Sequence, residues 1–174
     1  MISAVGGQQV PAVESYIAGY QVGAKAANPK IKVDYGYSQD FVAQAKCKEI
    51  GLNQIAQGSQ VVFAVAGGCG LGALDAAKEK GVMGIGVDAD QGYLGDHIMT
   101  SALKKVDEAA FAAAKQVQDG SLPTGTDEVF DAKNKGVGFG KTNSVGAKYA
   151  DQVNEQLQKI ASGEISDLPT EPTK

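Results

Sequence analysis

Residues 60–81 read QVVFAVAGGCGLGALDAAKEKG, and residues 82–92 continue VMGIGVDADQG. Gln60–Ala66 is a short, β-branched, almost wholly apolar run closed by glycines, the pattern of a strand covered on both faces. The turn Gly67-Gly68-Cys69-Gly70 leads into a short helical stretch, Leu71–Lys80, which Gly81 ends before a second apolar run at Met83–Val87. Strand, helix and strand in this order make a βαβ unit with a parallel pairing.

The same alternation extends outward on both sides. Ile2–Val5 reads as a strand, Gly6-Gly7 as a turn, and Pro11–Ala27 as a helix whose apolar face is Val13, Ile17, Tyr20, Ala24 and Ala27. Asn28-Pro29 stops that helix, because the residue before proline is driven out of the helical region. Ile31–Tyr35 is the next strand, and Ser38 or Asp40 caps a helix that runs to Gln57 before Gly58. Met99–Leu103 is a fifth strand, followed by a helix at Val106–Gln118 with Val106, Ala109, Ala110, Ala113 and Val117 on one face. Pro123–Gly140 carries only brief apolar runs and reads as a hairpin or loop. A last helix, Val145–Ala161, is expected to turn Tyr149, Val153, Leu157 and Ile160 inward, and the Pro-rich tail is expected to fray.

A chain of 174 residues with 43% hydrophobic content suits one α/β domain. A net charge of −4 leaves no basic stripe to neutralise a phosphate backbone, so nucleic acid is not an expected partner. All 16 basic residues are lysine, so there is no planar fork for a carboxylate or phosphate, and a neutral, hydroxyl-rich ligand fits better than an anion. One histidine, His97, and two distant cysteines offer little to a zinc site or a Ser-His-Asp triad, and neither metal nor cofactor is expected. Cys47 lies in a helical stretch and Cys69 in a Gly-rich loop, outside any C-x-x-C motif; two free thiols are the expectation. No 18-residue apolar run is long enough to span a bilayer, and the first residues lack a signal peptide's charged region, so the chain itself reads as soluble.

In an open parallel sheet, ligands sit beyond the carboxyl ends of the strands. Four loops qualify, Gly6–Val10, Gly36–Asp40, Gly67–Gly72 and Asp88–Tyr93; glycine at any one of them also serves simply to turn the chain. Gly68-x-Gly70-x-x-Ala73 matches a dinucleotide (NAD or NADP) fingerprint in form and makes an oxidoreductase domain the alternative reading, although the fingerprint normally opens the first βα turn. Asp88 and Asp90 flank an alanine at a strand end, so one projects into the cleft while the other faces solvent or caps backbone amides. A carboxylate placed there accepts two hydrogen bonds from neighbouring sugar hydroxyls. Of Lys104 and Lys105 at the end of the fifth strand, one is a surface lysine and the other donates to ligand or pairs with Asp88.

Taken together, Val5-Gly6-Gly7, Ala26-Ala27-Asn28-Pro29, Ala66-Gly67-Gly68-Cys69-Gly70-Leu71-Gly72, Gly86-Val87-Asp88-Ala89-Asp90-Gln91 and Thr100-Ser101-Ala102-Leu103-Lys104-Lys105-Val106-Asp107 occur in an order and spacing that resemble the basic membrane protein family. That family's members are lipid-anchored receptors of the bacterial cell envelope, similar to type I periplasmic binding proteins, that hand purine nucleosides to an ABC permease without catalysis. The resemblance implies that Asp88 binds the ribose hydroxyls, that Lys104 lies near the ligand, and that Gly67 and Gly68 let the ligand approach the backbone; Gln8, at the first strand end, and Asp90, beside Asp88, are cleft candidates by position alone. Cys69 departs from the small hydroxyl residue the resemblance leads one to expect.

The resemblance covers only half of the two-lobed family fold. It implies that a first lobe precedes Ile2, that residues 1–98 are the main part of the ligand-binding lobe, and that 99–125 cross a hinge toward the other lobe. Residues 126–165 then return to the lobe, and 166–174 form the frayed tail. The expected fold is α/β: a flavodoxin-like three-layer lobe with a five-stranded, mostly parallel sheet of order 2-1-3-4-5 and helices on both faces, its switch point at the Gly6 and Gly67 loops. Alone, the lobe should bind nucleosides only weakly. Its Val106–Gln118 helix would expose a stripe of roughly 200 Å², at about 25 cal/mol per Å² an upper bound near 5 kcal/mol, which folding back or, by preference, homodimerisation would relieve.

Overall fold

The computed structural model describes residues 1–173. Its elements are β1 (Ile2–Gly6), α1 (Pro11–Ala27), β2 (Val33–Tyr37), α2 (Gln44–Ala56), β3 (Val61–Val65), α3 (Gly70–Lys80), β4 (Met83–Asp88), β5 (Ile98–Lys104), α4 (Val106–Gln118), β6 (Val137–Phe139) and α5 (Ala150–Ser162). The sheet order is β2-β1-β3-β4-β5-β6. The first five strands pair in parallel, and β6 is antiparallel to β5. The α/β lobe therefore has one strand more than expected. Three residues, Val137-Gly138-Phe139, are too short to show a two-residue period, and what makes them a strand is pairing with Ala102–Lys104.

Strand β3 shows why helices lie on both faces. Val62 and Ala64 join one core cluster with Cys47 of α2 and Ala73, Leu74 and Ala77 of α3. Phe63 and Val65 turn to the other face and pack with Val13 and Ile17 of α1 and with Val87. Alternate side chains point to opposite sides, so a continuous apolar run needs cover on both. Ser3 and Ser59 share a 2.8 Å hydrogen bond inside, and the Gln54 amide nitrogen donates to the Ala4 carbonyl at 2.9 Å, while the Gln54 Oε1 and the Tyr20 and Tyr37 hydroxyls are buried without a partner.

Two boundaries move for identifiable reasons. β2 starts at Val33 rather than Ile31, because the Ile31 amide closes a turn onto the Asn28 carbonyl and the ladder begins at Ile2 opposite Val33. α2 starts at Gln44, later than Asp40 capping would place it. The Asp40 carboxylate instead accepts from the Val42 and Ala43 amides at 2.8 and 3.0 Å and holds a turn ahead of the helix.

Two helices keep less contact than their patterns suggest. α5 has no buried residue, and Tyr149 and Val153 are exposed where the pattern turned them inward. α4 is not folded back: Val106, Phe111 and Val117 are 59%, 71% and 63% exposed. The tail, by contrast, makes contacts. Thr173 exchanges two 2.8 Å hydrogen bonds with the buried Gln21 of α1, which accounts for a glutamine on an otherwise apolar helix face. Lys174, the last residue of the expected frayed tail, lies outside the described residues.

Candidate functional site

The order in which strands are added to the sheet reverses between β1 and β3, whose carboxyl ends lie side by side and are tied by the Gly7 amide donating to the Val65 carbonyl at 3.0 Å. Gly67 follows there with φ +54°, in the left-handed region, and a Cβ on it would stand 3.3 Å from the Phe41 carbonyl oxygen. A Cβ on Gly7 would overlap the Phe41 ring. The glycines thus make room for Phe41, which is 38% exposed at the lip of the strand ends. Sequence reading assigned Phe41 no role. The available signal was a lone aromatic in Asp40-Phe41-Val42, where a helix start was expected.

The lip is secured from beneath. The Cys69 amide donates to the Phe41 carbonyl at 2.9 Å, and the Asp40 amide donates to the Gly7 carbonyl at 3.1 Å. The Ser38 hydroxyl donates to the Asp40 carbonyl at 2.8 Å. The Ala43 and Val42 amides, with Lys46 at 3.0 Å, hold the Asp40 carboxyl well below the usual carboxylate range. Cys47 and Cys69, expected as free thiols, are joined in a disulfide across a Cα–Cα distance of 5.6 Å. Sequence spacing gave no hint, because only the packing of α2 against the loop after β3 brings the two together.

One strand further along, Asp88 ends β4 and Lys104 ends β5. Their side chains meet at 3.0 Å, each about half exposed (48% and 50%). Asp88 has φ +66°, a conformation that non-glycine residues seldom adopt and that often marks a functional position. The neighbouring motif residues hold this turn. The Gln91 side chain accepts from the Val87 amide at 2.9 Å, and the Gln91 amide donates to the fully buried Ser101 hydroxyl at 3.0 Å. Gln91 and Ser101 therefore brace the turn that carries Asp88, contacts that the motif alone does not reveal. On α1, the Tyr16 phenol is held above its ordinary value, first by burial and then by the Asp88 charge.

The remaining candidates lie elsewhere. Asp90 accepts from the Gly92 amide at 3.1 Å and lines a cavity of about 400 Å³ with Tyr93, Asp96, Lys141 and Asn143, a cavity to which Asp88, Lys104, Gly67 and Gly68 do not contribute. Gln8 is exposed beyond β1, its carbonyl taking the Val10 amide at the start of α1. In the fingerprint-like loop, a Cβ on Gly70 would stand 3.3 Å from the Ala64 side chain, and one on Gly72 would overlap the Gln44 carbonyl. Those glycines serve close packing of α3 on β3 and α2, which leaves no backbone approach for a pyrophosphate.

The geometry is that of one wall: an aromatic face, a carboxylate and an ammonium along one edge of the sheet, half open to solvent. It suits a neutral ligand with adjacent hydroxyls and an apolar ring. The family model described as ABC transporter substrate-binding protein PnrA-like matches residues 1–168. The ABC transporter nucleoside-binding protein BmpA of Lactococcus lactis is 33% identical over 183 residues, covering 95% of this chain and 52% of that protein. Basic membrane protein D of Borreliella burgdorferi is 34% identical over 171 residues, covering 94% and 50%. An ABC transporter solute-binding protein from Aeropyrum pernix superposes with a TM-score of 0.79 at 24% identity, over 97% of this chain and 57% of that one. The chain spans about half the length of the curated relatives it matches.

Proposed function

This chain belongs to the PnrA-like family of ABC transporter substrate-binding proteins, and from that premise we propose that it is one lobe of a receptor that binds purine nucleosides without turning them over. The observation that carries the reading is the half-exposed Asp88–Lys104 pair, held at the strand ends one strand from the Phe41 lip. A carboxylate accepts both hydroxyls of a ribose, Lys104 donates to an acceptor on the ligand, and Phe41 offers its ring to the base. The absence of arginine argues for a neutral ligand over a phosphorylated one. The nucleoside-binding name of the Lactococcus relative supports the same class.

A single half-open wall buries only part of such a ligand. We assign the rest of the site to a second lobe that closes over it, with residues 99–125 running toward the hinge, and we assign the loaded receptor to an ABC permease. Among the described residues no helix is long and apolar enough to cross a membrane. The buried disulfide fits an oxidising, extracytoplasmic compartment, with a lipid anchor on the parent protein.

Calorimetry on the intact receptor tests the assignment. Asp88→Ala should weaken adenosine or guanosine binding more than tenfold, the equivalent of about 1.5–3 kcal/mol for losing a charged acceptor. Unchanged affinity would remove Asp88 from the site. The chain by itself should bind in the millimolar range or not detectably, since it lacks the contacts of closure while much of the association entropy cost remains.

A further inference from the structure

We infer that the Cys47–Cys69 disulfide is a positioning crosslink for the ligand-facing lip, fixing Phe41 against the Gly67–Cys69 turn so that its ring is preorganised; this rests on the nucleoside-binding reading above. Cys69 is the last residue of that turn and Cys47 stands in the first turn of α2, three residues after the lip runs into the helix. Both cysteines are fully buried. Their bond ties the end of the lip to the loop that the lip covers.

The lip has little else to hold it there. Val42 is 80% exposed, and the apolar contact of the lip is that of the Phe41 ring against Gly7 and Gly67. Its hydrogen bonds at Ser38 and Asp40 anchor its start to Gly6 and Gly7 after β1. Toward the turn after β3 it has the bond from the Cys69 amide to the Phe41 carbonyl. That bond and the disulfide meet at one residue, and the crosslink restricts the distance over which the bond can open. Around it α2 is packed on α3, with Gly51 against Ala73 and the Gln44 carbonyl over Gly72, so the covalent tie joins the end of the lip to a packed core.

The test is adenosine titration of the intact receptor in four forms: wild type, Cys47→Ala/Cys69→Ala, Phe41→Ala, and all three substitutions together, each well below its melting temperature. Removing the crosslink should weaken adenosine about fivefold, the order expected for ordering one lip side chain on binding. The Phe41→Ala penalty should shrink at least threefold without the crosslink, the non-additivity of two groups that act through one another. The preference for adenosine over 2′-deoxyadenosine, read at Asp88, should not change. Ile17→Ala, in the core on the opposite sheet face, should lower thermal stability and leave affinity alone. Equal Phe41→Ala penalties in both backgrounds, or wild-type affinity without the crosslink, would overturn the inference.

Failure of wild type to bind any nucleoside would strike the nucleoside reading instead. In that event, or if the alanine pair does not fold, hydrogen exchange on the unmodified receptor decides. The Cys69 amide should be protected within about tenfold of the Val65 amide in β3, and exchange at the rate of an open loop would overturn the inference.

Discussion

The two halves of the chain are built to different standards. From β1 to the start of β5 there are two core clusters, and the largest fully buried side chains, Ile17, Leu74, Ile98, Val5 and Val62, all lie there. Beyond Ile98, among the described residues, no apolar side chain is buried; α4 and α5 carry none between them. Yet both late helices have apolar residues at helical spacing. Apolar side chains left exposed at helical spacing point to a surface elsewhere, whereas the first half holds both core clusters and every candidate site residue except Lys104.

The sharpest way to break this contrast is a matched pair of truncations. Leu74→Ala should cost about 2–5 kcal/mol in denaturant unfolding, the range for cavities in a packed core. Val153→Ala on α5 should stay within about 0.5 kcal/mol, as for a surface position. A cost at Val153 comparable to that at Leu74 would mean that α5 is packed in solution. Next in size is association. At high concentration the chain should scatter light as a dimer joined through α4, and Phe111→Ser with Val117→Ser should return it to a monomer, losing about 1.5–3 kcal/mol per side chain uncovered. A persistent monomer with α4 ordered on its own chain would instead support folding back.

The smallest effect concerns pH at the lip. Asp40 has a folded-state value below the ordinary carboxylate range because the Ala43 and Val42 amides and Lys46 favour its charged form. Its contribution is therefore fully present above the unfolded value of about 3.9 and is lost as pH falls through the depressed folded value. Protection of the Val42 and Ala43 amides, taken relative to intrinsic exchange at each pH, should fall on acidification below about pH 4, while that of β3 holds. Parallel changes in both would show general acid unfolding and erase the distinction between lip and core.

What residue order determined is what local chemistry decides. Pro11 with the 3.6-residue pattern after it defined α1 to the residue, and the same pattern defined α4. The alternation of strands and helices implied a parallel sheet, and glycine-closed apolar runs located the strand ends and the loops that follow them. The motif VDADQ singled out Asp88, and the lysines ending β5 included its partner. Everything that depended on distance in sequence waited for the tertiary structure: the antiparallel β6, the pairing of Lys104 with Asp88, Ser101 beneath Gln91, the Thr173–Gln21 pair, and the disulfide between residues 22 apart. Side-chain period reports which face of an element is apolar. It carries no information on what covers that face, so α5 read as inward-facing, Asp40 read as a helix cap, and Phe41 was passed over until the packing of α2 on the Gly67 turn set it at the lip.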